Sequence, residues 1–194
     1  YNRLVLELIV IPVLALKHNG FEVPFDIWFR LECMFNFIKH SLKPNGTSSV
    51  IGDQDNGRLL PFGTEDLLDF RYLLSLGAVL FQRSDFKQFG DGYNIYSALL
   101  SPPDSWEIYD KLEASSFELG SIGFKDAGYY IMRKKDNFLI FNVTGKGQYP
   151  ELPGGTHTHS DLLSFELVVN GKTILIDPGS YVYTADVEQR MLFR

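Results

Sequence analysis

Over roughly the first hundred positions, apolar residues recur at the spacing of helices. Leu4–His18 carries them through successive turns, and Asn19-Gly20 follows as a stop signal. His18 then falls in the last turn, where positive charge complements the helix dipole. A second helix is predicted over about Phe25–Leu42, closing at Pro44-Asn45-Gly46. Its aromatic and aliphatic residues cover nearly the whole circumference, which predicts burial between other helices. A third is predicted to start at Thr64 as cap, with Glu65 and Asp66 in its first turn and an apolar stripe over Leu67–Phe81. Two or three antiparallel helical pairs follow from this pattern.

From about Ser101 the pattern changes. Pro102-Pro103 interrupts the helical spacing, and the period moves from 3.6 toward 2. This places a boundary between a helical part, residues 1–102, and a β part, residues 103–194. Gly128–Arg133 and Phe138–Val143 are β-branched and aromatic runs around the polar cluster Lys134-Lys135-Asp136-Asn137, which predicts a hairpin. Ser164–Val169 and Lys172–Asp177 flank Asn170-Gly171, the dipeptide favoured in a type I′ turn, and predict a second. Helices followed by an antiparallel sheet, segregated along the chain, define an α+β multidomain architecture.

With 45% hydrophobic and 14% aromatic residues, the 194-residue chain can bury a core. Its net charge of −6 excludes a broad basic face for nucleic acid. An acidic ligand would need a local cationic patch, for which Arg3, Lys146, Arg190 and Arg194 are candidates. The single cysteine, Cys33, has no internal disulfide partner and sits among apolar residues, as a small core residue does. The run Leu4–Leu16 is interrupted by Glu7 and Pro12 and falls short of the roughly 20 residues that span a bilayer, so it is read as a buried core helix and not as transmembrane. Both ends read as cut, so the chain is expected to be part of a longer protein.

The chemistry concentrates in one segment. Of four histidines, two fall in Gly154-Gly155-Thr156-His157-Thr158-His159-Ser160-Asp161. In an extended segment, residues i and i+2 share a face, so His157 and His159 can address one site. Imidazole is the commonest metal ligand, and a carboxylate completing such a set is ordinary zinc chemistry. Asp177 is the favoured carboxylate, and Asp161 competes with it.

Pairing of Val169 with Lys172 puts Asp177 opposite about Ser164. Five extended residues from His159 to Ser164 span roughly 16 Å, so the chain must bend near Ser160-Asp161 for the ligands to meet. The plainer alternative is a His-x-His pair on a polar surface. Asp53-x-Asp55-x-Gly57 lacks the glutamate of a calcium loop, since Thr64 stands in its place, and is read as a structured turn. Gly145-Lys146-Gly147 lacks phosphate-loop spacing, and no Gly-x-Ser-x-Gly occurs. His18 and His40, at predicted helix ends, are read as dipole-complementing residues.

The segment Gly155–Phe165, continued through Leu175-Ile176-Asp177-Pro178-Gly179-Ser180-Tyr181 to Tyr183 and Arg190, resembles the signature block of heparinase II/III-like proteins. Tyr1-Asn2-Arg3 and Ile51-Gly52-Asp53-Gln54-Asp55-Asn56-Gly57-Arg58 are similar to blocks of that family's helical domain. The resemblance implies the C-terminal part of an α/α toroid followed by the first part of an antiparallel β-sandwich. It implies a polysaccharide lyase acting by β-elimination on uronic-acid glycans, with a structural zinc.

By the same resemblance His159 and Asp177 are zinc ligands, with a third, a histidine, expected beyond Arg194. His157 faces substrate and Tyr1 transfers a proton, the alternative for Tyr1 being an interface tyrosine. Arg190 and Arg194, four apart, could share a helix face and bind a sugar carboxylate or sulfate; an ion pair with Asp186 or Glu188 is their alternative role. The expected partner is an acidic polysaccharide, and the expected location is periplasmic or secreted. A noncatalytic carbohydrate-binding or polysaccharide-assembly module of the same fold is the rival reading.

Overall fold

The computed structural model describes residues 2–50, 57–63, 66–113, 116–143, 162–179, 182 and 185–193. The first helix, α1, spans Asn2–His18 and buries Leu6, Val10 and Val13. It ends as the sequence predicts. Phe21 N donates to Leu16 O (3.0 Å) and Gly20 N to Lys17 O (3.1 Å), with Gly20 at φ +78°. These are the two bonds of a Schellman stop, and glycine adopts the required left-handed backbone without a Cβ clash. The burial expected of this helix is one-sided, because Leu8, Ile9 and Leu16 are exposed.

Helix α2, Phe25–Ser41, also departs from the expectation of burial all round. It buries Leu31, Phe35 and Ile38, whereas Phe25 and Phe29 are 77% and 52% exposed. Cys33 is exposed as well, which corrects its reading as a core residue. The helix surrounded by others is α3, Arg71–Phe81, in which every residue from Tyr72 to Val79 is buried. It packs against α2, α4 (Ser84–Phe89), α5 (Ile95–Leu100) and α6 (Ser105–Lys111). Gly77 lets α2 approach closely: a Cβ there would lie 2.7 Å from Phe35 Cδ1.

Two boundaries differ from the sequence reading. Helix α3 starts at Arg71, not after a cap at Thr64, because Asp66 Oδ1 accepts from Leu68 N (2.8 Å) and Asp69 Oδ1 from Arg71 N (3.0 Å). Such local side-chain bonds offer the backbone a turn in place of a helix. Helix α6 follows Pro102-Pro103, and its Tyr109 joins the helical core. Proline is tolerated just ahead of a helix, where no intrahelical N–H is needed. Strand periodicity therefore sets in later than Ser101.

The sheet has five antiparallel strands in sequence order: β1 Ile122–Phe124, β2 Tyr129–Lys134, β3 Asn137–Asn142, β4 Phe165–Val169 and β5 Lys172–Leu175. Both predicted hairpins are present. Asn170 (φ 50°) and Gly171 (φ 74°) are both left-handed, as a type I′ turn demands, and Val169 pairs with Lys172. An irregularity at Leu167/Val168 then shifts the register so that Leu167 faces Leu175.

One face of the sheet buries Ile131, Phe138, Ile140 and Val168. The same face meets the C-terminal half of α2, with Phe37 against Phe124 (ring centroids 5.0 Å) and Tyr129 (5.6 Å). The opposite face presents the cross-strand rows Tyr130–Phe141–Phe165 and Met132–Leu139–Leu167–Leu175. A last helix, α7, spans Val187–Phe193. No helix among the described residues is long and apolar enough to cross a membrane.

Candidate functional site

Of the residues nominated from sequence, Tyr1, His157, His159 and Arg194 lie outside the described residues, as do Lys146, Asp161 and the Asp53–Asn56 stretch. Arg190 falls within α7, the helix on which its pairing with Arg194 was premised. Asp186 Oδ1 accepts from Gln189 N (3.0 Å) at the start of that helix, so one suggested partner of the arginines is engaged as a cap.

Asp177 is described and buried, at 8% exposure. Its Oδ1 accepts from Gly179 N (2.8 Å), a local turn that orients the carboxylate. Among the described residues no cluster of three or more His, Cys, Asp or Glu side chains is arranged to hold a metal. A buried carboxylate fixed by a backbone N–H is nevertheless a donor of the kind a zinc site uses.

The surroundings of Asp177 were not foreseen. Gly179 sits against Val50, so that a Cβ added to it would lie 3.4 Å from Val50 Cγ1. Val50 N donates to Glu166 Oε1 (2.6 Å), and Glu166 Oε2 pairs with Lys43 Nζ (2.5 Å). Glu166 stands on β4, just after the segment that contains His157 and His159. Just before β4, Leu163 is left-handed (φ 65°) and its N–H donates to Asn142 O (2.8 Å), while the bend expected near Ser160-Asp161 lies outside the described residues.

The other end of the 51–57 segment is tied to α1. Arg3 Nη2 donates to Gly57 O (2.7 Å) and Nη1 to Leu67 O (3.1 Å), while the guanidinium lies 4.9 Å over the Phe70 ring. Arg3 is 4% exposed, so it is a buried tether and not part of a cationic surface patch. Glu7 Oε2 accepts from Leu59 N (2.7 Å), and Glu7 Oε1 accepts from the buried Tyr72 hydroxyl. Burial, with that carboxylate beside it, raises the Tyr72 pKa well above its ordinary value.

The seven steps from Val50 to Gly57 reach at most about 25 Å even when fully extended. Covalent connection alone therefore keeps the start of α1 and the Asp177 turn within about that distance plus the tethers' own reach. Of the nominated blocks, Arg3 is thus tied to Gly57 and the Asp177 turn lies beside Val50, while Tyr1 and residues 51–56 lie outside the described residues.

A second correction concerns His40, which is half-buried beside Phe124 (ring centroids 6.0 Å). Burial, with Lys39 and Arg133 adding to it, lowers its pKa to about 4. A neutral imidazole does not complement the helix dipole. That role falls to Arg133, which sequence reasoning missed: its Nη2 donates to the carbonyls of His40 (3.3 Å) and Leu42 at the end of α2. His18 remains an exposed residue in the last turn of α1.

Helices joined to an antiparallel five-stranded sheet are a fold shared with a solved heparinase III gene product bearing methylated lysines. The TM-score is 0.56 and the identity 20%, over 90% of this chain and 23% of that one. Residues 119–194 match the family described as heparinase II/III-like, C-terminal. The resemblance read from the sequence stands. No curated protein matches the chain.

Proposed function

We propose that this chain is part of a polysaccharide lyase that cleaves uronic-acid glycans by β-elimination. The observation that carries the reading is the heparinase II/III-like match over 119–194, a stretch that includes His157, His159, Asp177 and Arg190. The contacts of Glu166 with Lys43 and Val50, with Gly179 of the Asp177 turn beside Val50, support a site shared between helices and sheet. In the complete protein the helices belong to an α/α toroid and the sheet to a β-sandwich.

In this reaction a base takes the proton α to the uronate carboxylate. Electrons from that C–H bond form a C=C bond, and the glycosidic C–O bond breaks as an acid protonates the departing oxygen. Tyr1 and His157 divide the proton transfers, with ordinary pKa values near 10 and 6.5 that the site must shift or offset by stabilising the enolate-like charge. Arg190 and Arg194 bind a carboxylate or sulfate of the sugar. His159 and Asp177 hold a zinc that fixes the loop carrying His157. The family's substrate class fits a periplasmic or secreted enzyme.

The test uses the complete protein. About one zinc per chain by plasma mass spectrometry, lost in Asp177→Ala, is expected. Uronate polymers should gain the ultraviolet absorbance of an unsaturated product, and His157→Ala should lower that rate by roughly 100-fold or more. Polymer retained without new absorbance would replace the lyase reading with a noncatalytic carbohydrate-binding or assembly module.

A further inference from the structure

Glu166 faces the helices from the middle of the sheet, in register with Ile140 and next to buried Val168. Its side chain and that of Lys43 are 1% and 6% exposed. Packing alone would be served by an apolar residue there, since desolvating two charges can cancel the attraction between them. What an apolar residue cannot do is hold three segments at once. One carboxylate oxygen pairs with Lys43, just past the end of α2, and the other accepts from Val50 N. Val50 in turn lies beside Gly179, where an added Cβ would come within 3.4 Å of Val50 Cγ1, and the Gly179 N–H holds Asp177.

We propose that Glu166, paired with Lys43, is a positioning residue: it registers β4, which follows the His157–His159 segment in the chain, together with the Asp177 turn, against the end of α2. This deepens the lyase reading and rests on it. Charge is needed to satisfy Lys43, but the contact that transmits position is the acceptor oxygen offered to Val50. The two parts separate by mutation. Glu166→Gln with Lys43→Met keeps that oxygen and buries no unpaired charge. Glu166→Leu with Lys43→Met removes the oxygen while filling the space, an exchange that buried ion pairs commonly tolerate.

In the complete protein, the Leu/Met double variant should keep about one zinc per chain and a wild-type circular dichroism spectrum, with KM little changed and kcat lower by on the order of 10- to 100-fold. The Gln/Met variant should retain kcat within about threefold. A purely structural residue would shift Tm and leave kcat per folded molecule alike in both, and a wild-type kcat in the Leu/Met variant overturns the proposal. If the wild-type protein eliminates no uronate polymer, it is the lyase reading that fails. Hydrogen exchange then decides the positioning role: faster exchange at Val50 and the Asp177–Gly179 turn in Leu/Met but not Gln/Met supports it, and equal protection in both refutes it.

Discussion

Glu7 interrupts an apolar run, and from sequence its only message is that the run does not cross a membrane. In the structure it is 3% exposed and accepts from Leu59 N and the Tyr72 hydroxyl. A buried carboxylate left short of a donor costs about 1–3 kcal/mol. Tyr72→Phe is therefore expected to lower unfolding free energy by about that amount in urea titration, and an unchanged midpoint would remove Glu7 from the list of stabilising contacts. None of this was legible, because Tyr72 is 65 positions away and Leu59 is 52. Arg3 was misread for the same reason: its partners are carbonyls, which every residue has and no motif marks. Asp177 was legible as a candidate donor because its chemistry is its own, while the Val50 and Glu166 around it were not.

At the scale of elements, local rules carried what they govern. The Asn170-Gly171 hairpin and the Gly20 stop were readable because each is specified by residues a few positions apart. The side of α2 that meets the core was not, since an all-round apolar pattern names no partner. His40 shows the consequence for pH. Its folded pKa near 4 lies below the ordinary 6.5, so the unfolded chain takes up the proton first. Stability is full above about pH 6.5 and declines as pH falls toward 4. The charges around it are Lys39 and Arg83, which oppose protonation, Asp85, which favours it, and Arg133 from the sheet, which opposes it. His40→Gln should flatten the stability profile between about pH 6.5 and 4 by on the order of 1 kcal/mol, after allowance for partial exposure. An identical slope in the variant would assign that acid lability elsewhere; Asp85, whose carboxyl is held at about 2, titrates lower still.

For the whole molecule, the division into helices followed by a meander was visible in the change of period, and the contact between the two was not. That contact combines the buried Lys43–Glu166 pair with the Phe37–Phe124 ring contact. The sheet's other face leaves Met132, Phe165 and Leu175 at 52%, 43% and 46% exposure. Contiguous apolar area of this kind attracts apolar ligands and surfaces. The 194-residue chain should bind an apolar fluorescent dye under native conditions, and Met132→Lys with Leu175→Glu should abolish most of that signal without altering circular dichroism. Equal dye binding in the variant would locate the apolar surface on the exposed sides of α1 and α2.

Arg133 closes the carbonyl end of a helix that precedes it by 93 residues. A ribosome adding about 5–20 residues per second reaches Arg133 roughly 5–20 s after His40. Through that interval α2 has its full sequence but lacks the side chain that completes its last turn, and β2 brings the missing donors only when it docks. The order of manufacture thus leaves the end of α2 waiting on the sheet.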